Sequence, residues 1–125
     1  VPIEYEIDQT RRLIRTTCRG EVRFPDVIAH FRTLRDHPAL PESPDVLLDF
    51  TELETFPDSE HLRSVALEVG SLMPTLKWRN CALVAPADLA FGIGRMFEMA
   101  TESYFHAIVV FRKREEAEAW LAKGG

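Results

Sequence analysis

The chain has 125 residues, 46% of them hydrophobic and 28% charged, the balance of one globular domain with a real core. Fifteen Lys and Arg against twenty Asp and Glu leave a net charge of −5, which argues against nucleic acid or an anionic membrane as the main partner. No apolar run is long enough for a transmembrane segment, and the start, VPIEYEID, has neither the basic nor the apolar region of a signal peptide, so a cytoplasmic protein is expected.

In chain order, IEYEID (3–8) alternates, with Ile3, Tyr5 and Ile7 on one side and Glu4, Glu6 and Asp8 on the other, as in a half-buried strand. After the polar turn QTRR, LIRTTC (13–18) alternates again, so the first two strands read as an antiparallel hairpin with Arg15 and Arg19 opposite Glu4 and Glu6. The tripeptide FPD then occurs twice, at 24–26 and 56–58. It reads as a helix start: proline has the φ of a first helical turn and no N–H to waste, and the acid faces the positive end of the helix dipole. Behind the first copy, Val27, Ile28, Phe31 and Leu34 follow at helical spacing up to DHP, where His37 is expected to cap the helix end. VLLDF (46–50) is an apolar run of the kind found in central parallel strands. The second copy opens a helix striped by Leu62, Val65, Ala66, Val69, Leu72 and Met73, with Thr55 as its expected cap and Pro74 as its expected end. NCALVA (80–85) is the next strand, 86–104 a third helix opened by Pro86, AIVVF (107–111) the last strand, and 113–122 a terminal helix burying Ala117, Trp120 and Leu121. The fold class is therefore α/β in one domain, 1–125: a mixed, mainly parallel five-stranded sheet with four helices in the order β-β-α-β-α-β-α-β-α. Right-handed crossovers on one side would leave the sheet's other face to a partner or to the chain's own loops.

No catalytic constellation stands out, and the chain is read as not an enzyme. Cys18 and Cys81 lie far apart in apolar strands and read as buried free thiols. His30, His37, His61 and His106 have no metal-ligand spacing, and the acids Asp49, Glu52, Glu54, Asp58 and Glu60 lack the spacing and glycine of a calcium loop, so neither metal nor cofactor is expected. The glycines of FGIGR (91–95) fall inside the third helix rather than before it, which points to close packing and not to a phosphate loop. In that helix Leu89, Ile93, Met96, Phe97, Ala100 and Tyr104 make a core stripe. Phe91 and Met99 are left over. Together with Met96 and with Arg95 and Glu98 on the same turns, they form the candidate ligand or interface surface.

The element order, the strand VLLDF leading through a polar loop to a helix, the run APADLAFGIGRMFEM (85–99) and the ending VVFRKREEAEAWL together resemble the SpoIIAA-like family of the STAS/Sec14-like grouping, over roughly residues 3–122. The run at 85–99 is similar to that of the family's uncharacterised bacterial branch. The family's anti-sigma-factor antagonists carry Asp-Ser-Ser-Gly at the corresponding helix start, and a partner kinase phosphorylates the second Ser. Here Asp58 and Ser59 match, Glu60 takes the acceptor position, and His61 replaces the glycine. The resemblance thus implies a regulatory or protein-interaction module without the phosphoserine switch. A small apolar or lipid-like ligand, as on the Sec14 side of the grouping, is the alternative, and a homodimer stays open.

Overall fold

A computed structural model describes residues 2–56 and 58–125, and every side chain among them except those of Ser59, Met73, Thr75 and Leu76. Pro57 of the second FPD and the side chain of Met73 in the expected stripe lie outside the described residues.

The strands are β1 (Ile3–Asp8), β2 (Leu13–Glu21), β3 (Asp45–Thr55), β4 (Asn80–Val84) and β5 (Ala107–Phe111). The helices are α1 (Phe24–Arg35), α2 (Ser59–Leu76), α3 (Asp88–Thr101) and α4 (Arg114–Ala122), with a 3-10 turn at Glu102–Tyr104. The order β-β-α-β-α-β-α-β-α is the expected one. The sheet runs β1-β2-β3-β4-β5, antiparallel between β1 and β2 and parallel elsewhere. Strand order never reverses, so right-handed crossovers carry α1, α2 and α3 to one face. For the same reason the sheet, among the described residues, lacks the strand-order reversal that forms a cofactor crevice in doubly wound folds.

That face holds the main core: Ile14, Cys18, Val46, Phe50, Cys81 and Leu83 of the sheet meet Val27, Phe31 and Leu34 of α1, Leu62, Val65 and Val69 of α2, and Phe97 of α3. Trp78, in the turn before β4, stacks on Phe105 at 5.3 Å and packs against Phe31 at 5.5 Å. The opposite face needs no partner over β3–β5. There, and at the start of β2, α4 lays Ala117 and Leu121 on Leu13, Leu47, Ala82 and Val84, with Phe111 and Trp120 at the margin; Trp120 is half-buried rather than buried.

Several boundaries differ from the expected ones. β2 runs on to Glu21 and β3 to Thr55, because TELET continues the pairing: Arg19 stands beside Glu52 and Gly20 beside Leu53 after an irregularity near Thr17. Thr55 is thus a strand residue, and Asp58 caps α2 in its place. Pro74 sits in the last turn of α2, where one missing N–H costs a single bond, and the helix continues to Leu76. Pro86 precedes α3 instead of opening it. His37 does not cap α1; its Nδ1 accepts the Ala39 N–H (3.1 Å) and shapes the following turn.

The largest correction concerns α3. Its core face is Ala90, Gly94, Phe97 and Thr101, whereas Leu89 and Met96 are 67% and 44% exposed. Small residues face the sheet because the helix lies close to it: a Cβ on Gly94 would come within 2.8 Å of Leu83 Cδ2 and 3.3 Å of Val110 Cγ1. Thr101 is tolerated inside because its hydroxyl donates to the Phe97 carbonyl at 2.8 Å. Both cysteines are buried free thiols, as expected, and burial pushes Cys18 up to about 12.

Candidate functional site

Rotating α3 onto its small residues turns Met96 and Met99 outward. They face the N-terminal half of α2 across an open groove of about 360 Å³, lined by Leu62, Arg63 and Ala66 from α2 and Met96, Met99 and Ala100 from α3. Met99 is 71% exposed. Leu67, one turn beyond Arg63 on α2, is 68% exposed and extends the apolar surface. Leu89 stands two turns before Met96 on α3 and is equally open. Methionines on a groove wall give it an adaptable, polarizable lining.

The groove abuts the start of α2. The Asp58 carbonyl accepts the Leu62 N–H at 2.7 Å, and its carboxylate Oδ1 accepts the His61 N–H at 3.0 Å, an N-cap. His61 Nδ1 lies 3.0 Å from the same oxygen, and its ring packs against Phe24 at 5.5 Å. The His61 backbone bond, then its side-chain bond, hold the Asp58 carboxyl below its ordinary pKa. Asp58 and Glu60 are therefore within a turn of the groove residues Leu62 and Arg63. Ser59 is the first residue of α2, and its side chain lies outside the described residues.

The other residues of the expected surface are elsewhere. Phe91 is half-buried against the core edge, with the Arg112 guanidinium 4.1 Å from its ring centre; Arg112 is held in turn by Asp88 (2.7 Å) and the Pro86 carbonyl (3.1 Å). Glu98 lies on that same flank, seven residues on, mostly buried, with Arg95 Nε 3.5 Å from its Oε1. Arg95 itself stands one turn before Met99 on the outer side of α3. The groove thus joins Met96 and Met99 to Leu62, Arg63 and Ala66 of α2, with Asp58 and Glu60 in the turn before them, and its lining includes neither Phe91 nor Glu98. The sequence pattern does not mark Leu62, Ala66, Leu67 and Leu89 as site residues. Leu67 carries the signal that singled out Met99, a large apolar residue outside its helix's stripe.

The acids of 49–54 do not converge. Asp49 is buried, accepts the Thr51 N–H and hydroxyl, and pairs with Arg114 at 3.1 Å, while Glu52 pairs with Arg19 at 3.0 Å. Among the described residues, no three His, Cys, Asp or Glu side chains come together as a metal site would require. None of the described helices is long and apolar enough to cross a membrane.

A hairpin followed by three crossover helices on one face and a terminal helix on the other defines a SpoIIAA-like α/β domain. Solved structures share it, and two of them show how far the likeness goes. An uncharacterized protein of the DUF3478 family from Shewanella loihica PV-4, described as having a SpoIIAA-like fold, superposes with a TM-score of 0.64 at 18% identity, covering 95% of this chain and 93% of that one. The anti-sigma factor antagonist SpoIIAA in its unphosphorylated form gives 0.57 at 16% identity, covering 98% of this chain and 99% of that one. No family model matches the chain, and no curated protein matches it. Identities this low carry the fold and leave function to the site.

Proposed function

We propose that the chain is a non-enzymatic, STAS-like regulatory module of the cytoplasm that binds a protein partner through the start of α2 and the α2–α3 groove, without a phosphoserine switch. The observation that carries this reading is the exposed apolar surface of Met96, Met99, Leu67 and Leu89 next to a capped helix N-terminus. A contiguous exposed apolar patch of this kind marks an interaction surface, whereas single exposed side chains do not. The fold it shares with an anti-sigma factor antagonist supports a partner of protein class. Glu60 supports the lack of a switch, since a phosphate on Ser59 would meet a fixed negative charge beside it. The groove is open to solvent, and the apolar cavity inside the core, between Thr16, His30 and Phe97, is only about 20 Å³, room for about one water. Both favour a partner over an enclosed small ligand.

The test is Met96→Lys combined with Met99→Lys. Both side chains are exposed, so the melting temperature should hold, while the proteins that co-purify with the wild-type chain from its native host should be lost. Retention of the same partners would sink the reading. A stoichiometric small-molecule mass on the freshly purified chain, in native mass spectrometry, would favour the apolar-ligand alternative.

A further inference from the structure

The sheet ends at β1 and at β5, and each end carries a row of backbone groups with no strand beside it among the described residues. The β1 end has a second feature. Val27, Phe31 and Leu34 aim α1 into the core, and Arg32 reaches toward Glu68 of α2 at 3.5 Å. The remaining flank, with Ala29, His30 and Thr33, overhangs the open edge of β1. Between that flank and Ile3 and Tyr5 of the strand runs a mostly apolar groove of about 260 Å³. Tyr5 meets the His30 ring edge-on at 5.6 Å.

The other side of β1 carries its acids, Glu4, Glu6 and Asp8, among Arg15, Arg19 and Arg114, and Glu6 is the acid left over. Glu4 pairs with Arg19 at 2.8 Å and Asp8 with Arg15 at 3.3 Å, while Glu6 is exposed and has no ion-pair partner among the described residues. A strand added to this edge would continue the alternation of the sheet. Its residues on the α1 side would enter the groove against Tyr5, Ala29 and His30, and the intervening ones would lie beside Glu4 and Glu6.

We propose that the β1 edge is a docking site for an extended segment of a partner protein in which apolar and basic residues alternate. Backbone pairing supplies the affinity, and the groove and the acids supply the selection. A second copy of this chain does not fit. Two β1 strands paired edge to edge would set Glu4, Glu6 and Asp8 of one copy against the same acids of the other, and like charges across a ladder destabilise it. The site is separate from the α2–α3 groove and stands or falls independently of it.

The probe is a fluorescent peptide of roughly eight residues, enough to span the edge, alternating lysine with valine or threonine. Three controls accompany it: the same peptide N-methylated at alternate residues, one with glutamate in place of lysine, and one of the same composition in scrambled order. Fluorescence anisotropy should show binding that weakens tenfold or more on N-methylation, on the glutamate swap, on scrambling, and with either Glu6→Lys or Ala29→Trp in the protein. Both positions are exposed, so both variants should fold. Should Ala29→Trp not fold, the peptide controls decide alone. Amide exchange should slow along Ile3–Asp8 when peptide is added, and Met96→Lys with Met99→Lys should change nothing. The proposal is overturned by no binding, by equal binding of the N-methylated or scrambled peptide, which would mean charge attraction alone, or by a β1-paired homodimer in solution.

Discussion

His30 shows how a single residue sets a condition on the whole fold. It sits between α1 and β1, against Tyr5 and Phe31, and burial pushes its pKa down to about 4, from about 6.5 for an ordinary histidine. The unfolded chain therefore binds this proton more readily than the folded one. Stability should be complete above about pH 6.5 and fall as pH drops toward 4. One edge of the ring still meets solvent, so the loss is set at about 2 kcal/mol, below the full value of the shift. Urea unfolding at neutral pH and near pH 4.5 checks this: His30→Leu should lose less stability than wild type over that interval, by about that amount, and an equal loss would remove His30 from the acid response. Two glycines two residues apart, on opposite sides of α3, give a second test at this scale. An Ala at Gly94 gains up to about 1 kcal/mol of helix propensity but forces its Cβ into Leu83 and Val110, at a cost of about 1–3 kcal/mol, so Gly94→Ala should destabilise. Gly92 has nothing within 4 Å of a new Cβ, so Gly92→Ala should stabilise by up to about 1 kcal/mol. Thermal melts in which Gly94→Ala stabilised as Gly92→Ala does would show that α3 does not press on the sheet there.

Each element's type was legible because local pattern and tertiary role agree in most of them: the alternation of 3–8, the run VLLDF, the apolar spacing of 62–72. What stayed hidden was which side of an element another element presses on. Hydrophobicity ranks Leu89 and Met96 above Gly94 and Thr101 as core residues, yet close approach to the sheet inverts that order, and the groove exists because of the inversion. The start of α2 was hidden for a related reason. By its own composition TELET reads as a loop, and only the longer β2 beside it makes it a strand, which moves the cap from Thr55 to Asp58. Of the candidate site, Met96 and Met99 could be named from sequence, whereas its α2 wall could not, because Leu62 and Ala66 also serve the core. The cap is directly testable. Asp58→Ala should lower the melting temperature and Asp58→Asn should restore most of it, since an amide oxygen can still accept the His61 N–H, while Thr55→Ala should have no effect. The reverse pattern, with Thr55 as the sensitive position, would return α2 to the start expected from sequence.

At the scale of the whole molecule, the sheet's second face is closed in two different ways. Over β3–β5 it is closed by α4 with apolar side chains, and over β1–β2 by charges that bind one element to another. Arg15 is the hub of the second half. From near the start of β2 it reaches Asp8 of β1 at 3.3 Å and both carboxylate oxygens of Glu118 on α4, at 3.2 and 3.4 Å. Arg114 and Arg11 approach Glu118 as well, at 3.6 and 4.0 Å. Burial alone would raise the Glu118 pKa, but the bond and charge of Arg15, with Arg114 and Arg11 behind it, hold the carboxyl below its ordinary value. A forked guanidinium contact that is mostly shielded from water should contribute more than a loose surface pair, so a double-mutant cycle of Arg15→Met and Glu118→Gln should give a coupling of about 1 kcal/mol. The coupling should shrink as sodium chloride is raised, because the pair keeps some contact with solvent. It should also fade in acid, as pH drops through the lowered pKa of Glu118 and the carboxylate is neutralised. Zero coupling at low salt would mean that α4 is held by Ala117 and Leu121 alone, and that the charged half of this face is merely solvated.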